Sequence, residues 1–291
     1  MNESFETYRP YLFAIAYRML GSAMDAEDLV QETYLRYQTT PPETIRSLKA
    51  YLATIISRLC VDQLQLARHQ REQYLGPWLP EPIVTTDVSE LIRVEKRVDE
   101  YESISLAFLV ILEQLQPLER AIFLLREVFD YDYAEIAAIL DKNEAACRQS
   151  LSRAKKHLVD HRPRFSASPE LQRQLLTSFF QAVDAGEMNA LLDLLAQDVT
   201  FWLDGGGKVK GARTRPVSGD QAVARYFINH SGAFRATLPE GARMELAEAN
   251  GQPALILRAG GRALAVVTID VVAERIQTLR LVANPDKLTH V

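Results

Sequence analysis

Apolar positions recur at helical spacing through the first quarter of the chain. Residues 11–20 (YLFAIAYRML) are strongly apolar and end at Gly21-Ser22. Residues 25–37 follow, with Leu29, Val30, Thr33, Tyr34 and Tyr37 as the buried side. After the loop Thr39-Thr40-Pro41-Pro42, a stripe of Leu48, Leu52, Ile55, Ile56, Leu59 and Leu64 predicts a helix over 46–71. Residues 74–87 then carry Gly76, Pro77, Pro80 and Pro82, which exclude a continuous helix and predict a semi-rigid connector. Trp78 and Leu79 read as exposed there, which is odd for a plain spacer. Helical spacing returns over 88–115 and 117–128.

Two short helices joined by a tight polar turn come next. The first holds Ile136, Ile139 and Leu140 at i, i+3, i+4, and the turn is Asp141-Lys142-Asn143. The second puts Cys147, Leu151, Ala154 and Leu158 on one face. Its other face carries Arg148, Gln149, Arg153 and Lys156, the cationic and amide donors that suit a DNA groove. That is the pattern of a helix-turn-helix. Beyond a break at 163–169 the pattern changes. Residues 170–185 and 188–196 read as amphipathic helices, 220–229 as another helix, and 199–203, 244–249, 254–257, 263–272 and 276–283 as strands. The expected architecture is multi-domain: two all-α modules, the second a helix-turn-helix, then an α+β part built on a curved antiparallel sheet. The expected boundaries are 1–73, a linker and helix over 74–102, 103–163, and 169–291.

Charge complicates the DNA reading. The 291 residues carry a net charge of −5. Residues 1–168 hold 20 Lys/Arg against 25 Asp/Glu, whereas 169–291 hold 13 of each. The half with the helix-turn-helix is thus acidic, although phosphate contacts supply much of any DNA affinity. Within it, residues 44–73 carry five Lys/Arg against two Asp/Glu, with Lys49, Arg58, Arg68 and Arg71 on the predicted third helix. Asp25, Glu27, Asp28, Gln31 and Glu32 form an acidic cluster. It reads either as carboxylates favoured at a helix N-terminus, worth about 0.3–1 kcal/mol each, or as an electronegative docking face.

Other chemistry is sparse. The five histidines are scattered, and two cysteines, Cys60 and Cys147, on apolar helix faces allow neither a zinc site nor a disulfide framework. No nucleophile elbow or dinucleotide fingerprint is present, so neither enzyme activity nor a cofactor or metal is expected. The loop Asp204-Gly205-Gly206-Gly207-Lys208 lacks the spacing of a phosphate loop and reads as a flexible hairpin or contact surface. No signal peptide or apolar run long enough for a membrane span is visible, which fits a cytoplasmic protein.

The order of parts resembles the extracytoplasmic-function sigma factors of bacterial RNA polymerase. DAEDLVQETYLR and SLKAYLATIISRLCVDQL correspond to region 2, over 5–72. The segment from Gln116-Pro117-Leu118-Glu119-Arg120 through the helix-turn-helix corresponds to region 4, over 103–162. WLPEP at 78–82, DGGGK at 204–208 and NPDKL at 284–288 are similar to the signatures of a subgroup with a fused SnoaL-like domain. That domain has the cone-shaped α+β fold of nuclear transport factor 2 and the polyketide cyclases.

The resemblance implies roles. Asp25, Glu27, Asp28, Gln31 and Glu32 would dock on the clamp helices of the largest polymerase subunit. Arg58 and Asp62, with Lys49 nearby, would read the minus-ten element. Arg148, Gln149, Arg153 and Lys156 would enter the minus-thirty-five major groove, where Glu144 would repel phosphate unless it accepts from a cytosine amino group. Trp78, Leu79 and Pro80 would meet Asp204, Gly205, Gly206, Gly207 and Lys208, and Asn284, Pro285, Asp286 and Lys287, to regulate the factor in cis. Polymerase core and promoter DNA are the implied partners. A sigma factor leans on polymerase for its grip on DNA, which accommodates the acidic charge. The alternative is a ligand-sensing regulator whose C-terminal pocket, lined by Phe201, Trp202 and Phe227, binds a small molecule.

Overall fold

The computed structural model describes residues 2–71, 74–84, 104–159, 167–209 and 212–291. The chain divides into two compact units. One comprises residues 1–73 and 86–162, the other 74–85 and 163–291. The predicted helix over 88–103 lies outside the described residues.

Among the described residues the first unit is all helical. Helices α1 (Asn2–Leu20), α2 (Ala23–Gln38) and α3 (Leu48–Arg71) pack through Leu12, Ile15, Met19, Val30, Leu52 and Ile56, all buried. Gly21 takes a positive φ of 66° to end α1, and the Ser22 hydroxyl accepts from the Asp25 amide to start α2. Helices α4 (Leu106–Leu112), α5 (Pro117–Glu127), α6 (Tyr133–Leu140) and α7 (Glu144–Val159) belong to the same unit. Capping boxes start α5 at Gln116 with Glu119 and α6 at Asp132 with Glu135.

Polar ties join the two halves of this unit. The Arg120 guanidinium is 3% exposed, and its Nη1 donates to the Met19 carbonyl at the end of α1 and to Glu113 Oε1, each at 2.7 Å. Burial pushes its pKa down to about 9, and the guanidinium still carries its charge at neutral pH. The hydroxyls of Tyr11 on α1 and Tyr131 lie 2.6 Å apart.

The second unit is α+β. Helices α8 (Pro169–Ala185), α9 (Met188–Leu194) and α10 (Asp220–Thr237) cover one face of a six-stranded sheet. Its strands are β1 (Leu195–Asp204), β2 (Val217–Ser218), β3 (Arg243–Ala249), β4 (Gln252–Ala259), β5 (Arg262–Val272) and β6 (Arg275–Val282). The spatial order is β2-β1-β6-β5-β4-β3. The helical run expected over 220–229 continues to Thr237.

The sheet departs from the all-antiparallel expectation at one pairing, because β1 and β6 run parallel. The chain leaves β1, passes through β2 and α10, and re-enters the sheet at its far edge as β3. Three antiparallel hairpin pairings then bring it back, so β6 arrives beside β1 in the same direction. The two strands therefore end together, with Asp204 paired to Val282.

Candidate functional site

The helix-turn-helix is formed by α6 and α7. Asp141 takes the left-handed conformation (φ 53°) that closes α6, and the Asn143 side chain accepts from the Ala146 amide to open α7. Cys147, Leu151, Ala154 and Leu158 are buried, as their spacing predicted. Arg148, Gln149, Arg153 and Lys156 are all exposed. Two of the four are also engaged within the unit. Arg153 Nε lies 3.2 Å from Glu119 on α5. Arg148 pairs with Glu144 one turn earlier and lies 4.9 Å from the Tyr133 ring. Glu144 thus faces a cation within its own helix, which offsets the repulsion it would offer phosphate. Gln149 and Lys156 lie between these two flanks.

On α3, Arg58 and Asp62 sit one turn apart on the same side. Lys49 lies on the opposite side of the helix, its ammonium 4.9 Å from the Tyr11 ring. Arg58 is not idle. Its Nε donates to the Ile139 carbonyl at 2.7 Å and its Nη2 to the Ala138 carbonyl at 3.1 Å. These are orphan carbonyls at the negative end of the α6 dipole, and α6 has no basic residue in its own last turn. The cation expected at the minus-ten element therefore caps the first helix of the helix-turn-helix. Nothing local to Arg58 announces a partner about eighty residues on; the one available signal is the uncompensated C-terminus of α6.

The acidic cluster occupies the first half of α2. Glu27, Asp28 and Gln31 are exposed, Asp25 and Glu32 half-buried, and Glu32 accepts from Arg36 at 2.8 Å. Met24 and Leu35 continue the Asp28–Gln31 stripe at helical spacing and are 48% and 49% exposed. Large apolar side chains left open beside carboxylates suit a protein-binding surface better than dipole stabilisation alone, and the charge pattern by itself did not single them out.

The three short motifs of the connector and the C-terminal unit converge on one carboxylate. Asp204, at the end of β1, is 0% exposed. Its Oδ1 accepts from the Tyr74 hydroxyl at 2.5 Å and the Gly206 amide at 3.1 Å, and its Oδ2 from the Leu79 amide and Lys287 Nζ, both at 2.8 Å. Lys287 also donates to the Leu79 carbonyl at 2.5 Å, with its ammonium 4.2 Å from the Trp78 ring and 4.9 Å from that of Tyr74. Burial, and then the bond to Asp204, hold the Tyr74 phenol well above its ordinary pKa, so it remains a donor. The Asn284 amide donates to the Tyr74 hydroxyl, and its oxygen caps the turn Pro285–Lys287. Lys208 pairs with Asp286 at 2.5 Å. Gly206 has φ 57°, and a Cβ there would meet Asn284 Nδ2 at 2.4 Å, so only glycine fits. Leu75 fills the space above Gly207.

The connector is therefore clamped, and the expected exposure of Trp78 and Leu79 is corrected. Leu79 is fully buried and Trp78 half-buried, because the Asp204–Lys287 pair binds the Leu79 backbone through both its polar groups. Farther on, Ile83 and Asn250 exchange two hydrogen bonds, and Val84 forms an antiparallel bridge with Ala249. The pocket expected from Phe201, Trp202 and Phe227 does not form as one lining. Phe201 and Phe227 are buried 4.7 Å apart in an aromatic cluster with Phe179, while Trp202 alternates to the opposite face of β1.

Residues 4–71 match Sigma-70 region 2 and residues 105–158 match Sigma-70, region 4. The chain is 36% identical to the ECF RNA polymerase sigma factor SigJ of Mycobacterium tuberculosis, over 98% of this chain and 92% of that protein. It is 29% identical to the probable ECF RNA polymerase sigma factor SigI of the same species, over 99% of this chain and 94% of that protein. The crystal structure of the Mycobacterium tuberculosis extracytoplasmic function sigma factor SigJ covers 100% of this chain and 99% of its own, with a TM-score of 0.75 and 32% identity. That match spans the C-terminal α+β unit as well as the two helical regions. Among the described residues no helix is long and apolar enough to cross a membrane.

Proposed function

From the premise that the chain belongs to the extracytoplasmic-function sigma factors, which bind RNA polymerase core and promoter DNA, we propose how its surfaces divide that work and how its C-terminal unit regulates it. The exposed stripe of α2, Met24 through Asp28 and Gln31 to Leu35, docks on polymerase. Gln149 and Lys156, flanked by Arg148 and Arg153, enter the minus-thirty-five groove. Arg58 and Asp62 act at the minus-ten element, and Arg58 must leave the α6 carbonyls to do so. Polymerase supplies the chemistry, and sigma-factor relatives are non-enzymatic regulators.

One observation carries the regulatory reading: the connector between regions 2 and 4 is held by the C-terminal unit through Asp204 and Lys287. The two regions read separate promoter elements, so the chain joining them limits how far apart they can act. Residues 74–84 would span on the order of 35–40 Å if extended, and the clamp withholds that length. Freeing it costs a buried ion pair and its backbone bonds, so the C-terminal unit sets the reach.

Reconstituted transcription with Asp204→Asn and Lys287→Met chains tests this. Promoters whose two elements are moved apart by a base pair or two should lose less output with the variants than with the parent chain. Identical spacing profiles would exclude control through reach. The small-molecule reading is not favoured, since two of its three proposed lining residues are packed into the core.

A further inference from the structure

The C-terminal unit is neutral overall but strongly polarised. Residues 205–237 carry six Lys/Arg and a single acid, Asp220, whereas the rest of 169–291 carries seven Lys/Arg against twelve Asp/Glu. This basic stretch is the loop from β1 to β2 together with α10. Two of its cations are already committed, Lys208 to Asp286 and Arg235 to Asp184. Lys210 lies outside the described residues. Arg213, Arg215 and Arg225 are exposed, and among the described residues none of them is in an ion pair.

Their setting is ordered. The Arg213 guanidinium lies 5.7 Å from the Tyr226 ring, and His230 stacks on that ring at 4.3 Å. Arg225 is anchored by its own helix, with Nε on the Gln221 carbonyl at 3.1 Å and Nη2 on Gln221 Oε1 at 3.2 Å. Anchoring lowers the side-chain entropy lost on engaging a partner, and guanidinium forks match phosphate oxygens.

We propose that this loop-and-helix face is a third DNA-contacting surface, binding the phosphate backbone of promoter DNA within the holoenzyme. The occupant follows from charge complementarity and from the molecule's place of work. The net acidic sigma unit nonetheless carries cations on α3 and α7, and the C-terminal unit carries an excess of its own here, while the ligand common to all three is a polyanion. The contact carries no sequence information, because exposed arginines without groove-entering geometry read charge rather than base edges. It adds grip wherever regions 2 and 4 have already set the register.

The test compares full-length chains in holoenzyme, parent against an Arg213→Gln, Arg215→Gln, Arg225→Gln triple variant, on promoter duplexes over a range of salt. Each phosphate contact contributes about 0.9 to the slope of log affinity against log salt, so the triple variant should lose about 2–3 from that slope. Affinity should fall several-fold and equally on different promoters. An unchanged slope and affinity would overturn the proposal. So would weakened binding to core polymerase with an unchanged DNA slope, since that marks a polymerase contact. If the triple variant misfolds, Arg215→Gln alone decides: it should lower the slope by about 0.9, and no change rejects the surface.

Discussion

Asp204 is a buried carboxylate at which the connector, the β1 end and the β6 end meet. A buried carboxylate is tolerable only when its lone pairs are filled, and four donors from three separate segments fill them. Removing one partner of such a pair strands the other, at a cost of about 3–5 kcal/mol. Lys287→Met should therefore lower the stability of the C-terminal unit by that order in urea unfolding. The Asp204→Asn, Lys287→Met double variant should cost clearly less than the sum of the singles, because the second change no longer strands a charge. Additive losses would show that the two act independently. That Asp204, Lys287 and the connector belong together was legible from three short motifs sharing one resemblance. The atoms were not, since whether a Leu79 amide finds a carboxylate more than a hundred residues on is decided by tertiary structure. The same limit made Trp78 and Leu79 read as exposed.

Helices and their faces were the most legible elements, because a period of 3.6 is a local property that survives without knowledge of the fold. The buried and exposed sides of α7 matched their spacing residue for residue. What that pattern could not reveal is what an exposed cation does when a neighbouring helix end needs one. Arg58 illustrates this, being a surface residue of α3 and also the cap of α6. Arg58→Ala should lower the stability of the sigma unit by about 1–2 kcal/mol, as the loss of charge-assisted hydrogen bonds at a partly exposed site does. Amide exchange in the last turn of α6 should rise with it. Arg58→Lys keeps the charge but not the two-carbonyl fork, and should recover only part of the loss. A variant as stable as the parent, with unaltered exchange, would reduce the contact to a passing one.

For the whole molecule, the class of each part was readable while the sheet's connectivity was not. Strand-like alternation along 263–272 and 276–283 identified β5 and β6, yet the two-residue side-chain period belongs to any strand and does not state the direction of its neighbour. The parallel β1–β6 pairing is set by where α10 delivers the chain, which is a long-range matter. Net charge was a similar case. A value of −5 argued against unaided DNA binding, but the sum hid the segregation that leaves 205–237 basic. Membership of a family explained how an acidic chain can work at promoters, and the distribution of charge within each unit adds where its own grip can lie.

The parallel pairing has an evolutionary consequence. Since β1 and β6 lie side by side and stop at the same edge, the motifs that follow them meet whatever the intervening hairpins and helix look like. The Asp204–Lys287 lock sits at these strand ends, while of the intervening segments the β3–β4 turn holds the connector farther on through Asn250 and Ala249. A few residues inserted at the Gly260-Gly261 turn between β4 and β5, where both glycines have open space around them, should leave the clamp's stability and the promoter-spacing profile unchanged. The β4–β5 end of this domain can thus change in length and sequence without the latch at the other end having to be rebuilt.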